Sequence, residues 1–134
     1  MLSTGATDVP EASITALLDR HPAAARSARI WTRDALHSWG VPPGVTEDVE
    51  LVITELVSNS LIHATGGIRA RLVLLRGPRE VRLEVHDGGP APAQVPREPG
   101  TGGRGLVITA ALTERCGWEM ARGRTTAWAT LHAA

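Results

Sequence analysis

Polar and apolar residues alternate in some stretches of this chain and recur every three or four positions in others, two rhythms that separate strands from helices. Residues 1–11 have neither rhythm and read as a flexible tail, leaving 12–134 as a single domain. Ala12–Leu18 predicts a short first strand. Pro22 stands where a helix can begin, and Ala23–Trp39 is rich in helix formers until Gly40 stops it. After the connector Val41-Pro42-Pro43-Gly44, Thr46 predicts the N-cap of a second helix, with Glu47, Asp48 and Glu50 in its acidic first turn. That helix runs to about Ala64 and buries Val49, Val52, Ile53, Leu56 and Ser60 as its core stripe.

Ile68–Arg76 and Val81–Asp87 predict two strands joined by Gly77-Pro78-Arg79-Glu80. In the second of them Val81, Leu83, Val85 and Asp87 share one face, and Arg82, Glu84 and His86 the other. Residues 88–103 are crowded with Gly and Pro and read as a loop. A helix from Arg104 to Arg115 and a final hairpin, Trp118–Arg122 with Thr126–His132, complete the order. Hairpin strands with grouped helices indicate an α/β two-layer sandwich, its mixed, mainly antiparallel sheet covered on one face by helices.

Composition removes several functions. With 43% hydrophobic residues in 134, the chain can build a core without disulfides or metal staples. All 14 basic residues are arginine. A Walker A loop, a eukaryotic-type protein kinase and Schiff-base chemistry each need a lysine, so all three are excluded. The formal net charge is zero, which offers no bulk attraction to nucleic acid or to an anionic membrane. With one cysteine, no secretory leader and no run of about 18 apolar residues, the chain is expected to be cytoplasmic. The strand arginines Arg69, Arg71, Arg76, Arg79 and Arg82 read as a solvated sheet edge.

Three segments carry candidate chemistry. Glu55, Asn59 and His63 recur every four residues and form one ridge of the second helix. A carboxylate and an amide one turn apart can serve as a base and a Mg²⁺ ligand, although the spacing also suits a polar flank facing water. Asp87 ends its strand on the apolar face, where an acid needs a donor or a cation to offset its desolvation. A purine amino group would serve, with Gly88 and Gly89 admitting the ligand to the backbone; an ordinary Asp-Gly turn is the plainer alternative. Gly100–Leu106 opens a helix, where free N–H groups and glycines suit phosphate oxygens as well as a flexible cap. Its G-x-G-x-x-G string is out of context for a dinucleotide fold, because no strand precedes it and no βαβ unit follows.

Taken together and in this order, the segments resemble the histidine-kinase-like (GHKL) ATPases. Glu55–Ala64 resembles their N box, Asp87-Gly88-Gly89-Pro90 their adenine-binding box, and Gly102-Gly103-Arg104-Gly105-Leu106 their second glycine box. The resemblance covers roughly residues 12–132 and implies a Bergerat-type ATP-binding fold. It implies Glu55 as general base, Asn59 as Mg²⁺ ligand, and Asp87 with Gly88 and Gly89 at adenine, supported by Thr126. Gly102, Gly103, Arg104, Gly105 and Leu106 would hold the phosphates of ATP, and residues 90–103 would be the ATP lid. No role attaches to His63, which also suits a partly buried helix histidine. One departure stands out: Pro90-Ala91 replaces the second spaced glycine of the adenine-binding box.

Within that superfamily the chain looks most like the anti-sigma-factor serine/threonine kinases. The resemblance implies transfer of phosphate from Mg-ATP to an anti-sigma-factor antagonist, binding of a sigma factor, and a homodimer without direct contact to nucleic acid or membrane. The alternative is a non-catalytic nucleotide-binding module that sequesters its partner, which would need no base at Glu55.

Overall fold

The computed structural model describes residues 10–89, 109 and 111–133. Its elements are β1 (Pro10–Leu18), α1 (Ala24–Ser38), α2 (Pro43–His63), β2 (Ile68–Leu75), β3 (Glu80–Asp87), β4 (Arg115–Ala121) and β5 (Arg124–His132). β1 therefore reaches into the expected tail by Pro10 and Glu11, and β4 starts three residues earlier than expected, at Arg115. Of the helix expected over 104–115, Thr109, Ala111 and Leu112 are described and helical, and the rest of its first half lies outside the described residues. No helix among the described residues is long and apolar enough to cross a membrane.

The two helices are bounded by local chemistry. Gly40, at φ 74°, ends α1: its N–H bonds the His37 carbonyl at 3.1 Å, and Val41 N–H bonds the Leu36 carbonyl at 3.0 Å. These are the two bonds of a Schellman motif, completed by burial of Val41. α2 starts earlier than the Thr46 cap predicts. Pro42 is its N-cap residue and Pro43 its first helical residue, with no side-chain cap. Proline suits that place because its φ is already helical and its missing N–H would have had no partner. Thr46 lies inside the helix and is buried, and its N–H makes a helical bond to the Pro42 carbonyl at 3.0 Å.

The strands form one sheet in the order β1-β2-β3-β5-β4, antiparallel at every described pairing. The sandwich expected from the sequence is thus present, and its sheet, expected to be mixed but mainly antiparallel, is antiparallel at every described pairing. Ile68, Ala70, Leu72 and Leu74 of β2, Val81, Leu83 and Val85 of β3, and Ala127, Ala129 and Leu131 of β5 share one buried cluster with α1 and α2. Alanines at 24, 28 and 35 keep the buried stripe of α1 thin, so it lies close to Val49, Val52, Ile53 and Leu56 of α2. The helix pair is also tied by charge. Arg33 Nη2 donates to Glu50 Oε1 at 2.8 Å and Arg33 Nε to Oε2 at 3.3 Å, pairing a carboxylate on a buried residue.

The other face of the sheet carries polar side chains in rows. Arg69 and Arg71 of β2 and Arg82 of β3 do not line an edge, because β3 is the central strand and β2 its neighbour, while Arg76 and Arg79 lie in the turn between the two strands. Arg82 Nε donates to Glu84 Oε2 at 2.8 Å, His86 Nε2 lies 3.0 Å from Oε1, and Arg71 Nη1 lies 3.8 Å from the same oxygen. The Arg82 guanidinium also sits 4.7 Å from the centroid of Trp128. Trp128 in turn covers Gly117, where a Cβ would meet the indole at 3.2 Å. At the end of the sheet away from Asp87, His132 contacts Glu114; burial first, and then the hydrogen bond that the protonated Glu80 carboxyl donates to Glu114, push the Glu80 carboxyl upward.

Burial is the largest influence on Glu84 and acts upward, yet the bonds from Arg82 and His86 outweigh it and hold the carboxyl below its ordinary value. A carboxylate with a depressed folded pKa stabilises the fold above its unfolded pKa, about 4.3, and loses that contribution as pH falls through the folded value. Glu84→Gln is therefore expected to cost about 1 kcal/mol at pH 7. The difference should close on acidification, as denaturant titrations at neutral pH and below the ordinary glutamate range would show.

Candidate nucleotide site

β3 delivers Asp87 to the end of the sheet on the helix side, as its alternation with Val81, Leu83 and Val85 requires. Both carboxylate oxygens are engaged there. Ser60 Oγ of α2 donates to Oδ2 at 2.7 Å, and Gly89 N–H donates to Oδ1 at 2.8 Å. The turn after Asp87 is knitted to the end of α2. Gly88 N–H bonds the Thr65 carbonyl at 2.9 Å, while Thr65 gives both its N–H and its hydroxyl to the Gly89 carbonyl. Gly88 is required by that approach, since a Cβ at this position would lie 2.8 Å from the Thr65 oxygen. A cleft of about 400 Å³ opens at this end of the sheet, lined by Leu17, Leu18, Ile68, Arg69, His86 and Asp87 among others.

α2 brings its polar ridge to the same end of the molecule. Asn59 immediately precedes Ser60, and Glu55 stands one turn earlier; both side chains are half-buried. The Asn59 amide nitrogen is buried and has no hydrogen-bond partner among the described residues. An orphaned buried amide is costly unless something else meets it, so this group fits a ligand. His63, one turn further on, is also half-buried.

Thr126 is not where the motif reading puts it. It pairs with His86 across β3 and β5, on the outer face, and its hydroxyl lies 2.9 Å from His86 Nδ1. The residue opposite Asp87 is Thr125, buried on the helix side. Alternation with Ala127, Ala129 and Leu131 marks Thr125 as inward, so the signal was present in the sequence. Ser60 was visible as a core-stripe position, but its partner was not. Gly102, Gly103, Arg104, Gly105 and Leu106, and the lid expected over 90–103, lie outside the described residues.

An inward acid on a sheet strand, a glycine turn beside it and a helix ridge carrying a buried amide with no partner among the described residues lie at the same end of the sheet. The sequence pattern of the histidine kinase-like ATPase domain matches residues 18–131. The chain belongs to the histidine kinase-like ATPase domain family. The family resemblance is thereby borne out, and ATP binding comes with the family. No curated protein matches the chain significantly. Among solved structures, this ATPase domain is similar to the RsbU and RsbW domains of Rv1364c from Mycobacterium tuberculosis, at 26% identity and a TM-score of 0.73. That likeness covers 92% of this chain and 32% of the other, so the domain spans about a third of its neighbour. It is similar in fold to the SiaB–SiaC complex from Pseudomonas aeruginosa, at 12% identity and a TM-score of 0.60, covering 96% of this chain and 92% of that one.

The Thr65–Gly88 contact makes a direct test of the turn. Gly88→Ala forces a methyl onto a backbone oxygen and should destabilise the domain by about 1–3 kcal/mol. Gly67→Ala meets nothing within 4 Å and should change stability by less than about 0.5 kcal/mol. Denaturant unfolding of the two variants side by side measures the contrast.

Proposed function

We propose that this domain is an anti-sigma-factor-type serine/threonine protein kinase, which binds Mg-ATP and phosphorylates an anti-sigma-factor antagonist. The observation that carries the reading is the inward Asp87 carboxylate, held by Ser60 and Gly89. Those two donors fix its orientation, and its remaining lone pairs can accept the amino group of adenine. Thr125, opposite Asp87 on the same face, supports that contact in place of Thr126.

Asn59 is the residue that would hold Mg²⁺, through the amide oxygen whose companion nitrogen has no partner among the described residues. When bound, Mg²⁺ would neutralise phosphate charge. Glu55, one turn away on the same ridge, would accept the proton of a serine or threonine hydroxyl as its oxygen bonds to the γ-phosphorus and ADP leaves. Gly102, Gly103, Arg104, Gly105 and Leu106 would supply backbone N–H groups to the phosphates. Two neighbours support a protein partner: one chain joins RsbU and RsbW domains, and the other structure is a SiaB–SiaC complex. A sigma factor as second partner, a homodimer and a cytoplasmic setting belong to the same proposal. A module that only sequesters its partner would have no use for Glu55 beside Asn59.

Asp87→Asn replaces an acceptor by an amide and should weaken ATP binding by about 1–3 kcal/mol. Calorimetry should also show the parent protein preferring ATP to GTP; equal affinities would contradict the adenine assignment. Glu55 and Asn59 should fail differently. Glu55→Gln is expected to keep ATP binding and slow transfer by about 10²–10⁴-fold. Asn59→Ala should lose the Mg²⁺-dependent part of ATP binding as well. Phosphoprotein assays with candidate antagonists, run beside calorimetry, separate the two; wild-type transfer by Glu55→Gln would remove the base assignment.

A further inference from the structure

Arg20 leaves the sheet two residues after β1 ends and reaches three carbonyl oxygens far along the chain. Its Nε donates to Gly66 O at 2.8 Å, and its Nη1 lies 3.1 Å from Ser60 O and 3.3 Å from Leu61 O. Ser60 and Leu61 sit in the last turn of α2, where carbonyls carry the negative end of the helix dipole; the Ser60 carbonyl also accepts the Ala64 N–H at 3.1 Å, so Arg20 is its second donor. A guanidinium is well matched to such a site. Two of its targets have more particular neighbours. Ser60 is the residue whose hydroxyl holds Asp87, and Gly66 follows Thr65, whose backbone pairs with Gly88 and Gly89. One side chain thus grips both arms of the clamp around the Asp87 carboxylate.

We propose that Arg20 is a positioning residue of the nucleotide site: by tying the end of α2 to the Thr65–Gly66 segment, it holds Asp87 and the Gly88-Gly89 turn in the geometry that reads adenine. The inference rests on the reading of Asp87 as the adenine acceptor. Arg20 itself is exposed, and its bonds join segments already closed by the hydrophobic core, so its effect on global stability is small. Its effect on the site is larger, because adenine recognition depends on where one carboxylate points. The divergent donors of arginine are needed to bridge Gly66 and Ser60 together, whereas a lysine ammonium serves them less well.

The test compares Arg20→Met, Arg20→Lys and Arg33→Met. The last breaks the Arg33–Glu50 pair between the helices, about 15 Å along α2 from Ser60 at 1.5 Å per residue. Arg20→Met should weaken ATP binding by about 5–20-fold, with Arg20→Lys between it and wild type. In the nucleotide-free protein, Arg20→Met should also speed hydrogen exchange at the Gly88 and Gly89 amides. Its thermal midpoint should fall no further than that of Arg33→Met, which should bind ATP like wild type. Wild-type ATP affinity in Arg20→Met overturns the proposal, as does an equal loss in Arg33→Met. If the wild type binds no ATP, the adenine reading fails by itself. Exchange at Gly88 and Gly89 still decides the clamp, and unchanged exchange in Arg20→Met overturns it.

Discussion

A carboxylate placed on the apolar face of a sheet must be given hydrogen-bond donors, and much of this fold is arranged to give them to Asp87. Water is largely excluded on that side, so the desolvation cost has to be met by protein groups or by a ligand. Ser60 reaches it because α2 runs unbroken from Pro43 to His63 and ends over the end of β3. Gly89 reaches it because the chain turns back on itself immediately after the strand. Thr65 then clasps that turn to the segment leaving the helix. Each of these arrangements leaves part of the acid's accepting capacity open, which is the condition for reading a donor on a ligand.

Features set by local rhythm were legible in the sequence. The period-two pattern of β3 gave the side of Asp87, and the period near four in α2 gave its buried stripe and the ridge of Glu55, Asn59 and His63. Features set by competition between local signals were less so. Thr46 has a good capping side chain, but Pro42 and Pro43 outrank it because they prescribe backbone angles rather than offer one bond. Thr126 was read from the family resemblance rather than from strand alternation, and a shift of one residue in a strand moves a side chain to the opposite face. Strand order was not legible at all. Nothing local in β2 and β3 tells that they lie inside the sheet, so their arginines looked like edge residues. Ser60 and Arg20 were hidden for a related reason: their partners are 27 and about 40 or more positions away in the chain.

The two faces of the sheet solve the same electrostatic problem by different means. Inside, the donors to Asp87 among the described residues are neutral, a hydroxyl and a backbone N–H. Outside, Glu84 is met by Arg82, His86 and Arg71, so its charge is spent within the protein. The first arrangement suits recognition, and the second suits a fixed scaffold on which recognition is built.

The stacking of Trp128 on Gly117 ties together positions that look unrelated in the sequence. The indole is the seat of the Arg82 guanidinium, and Arg82 is a principal partner of Glu84. Four residues on three strands are therefore mechanically linked. A side chain at 117 asks the indole to give by a few tenths of an ångström, and because the indole seats the guanidinium, that shift is passed on to the Arg82–Glu84 pair.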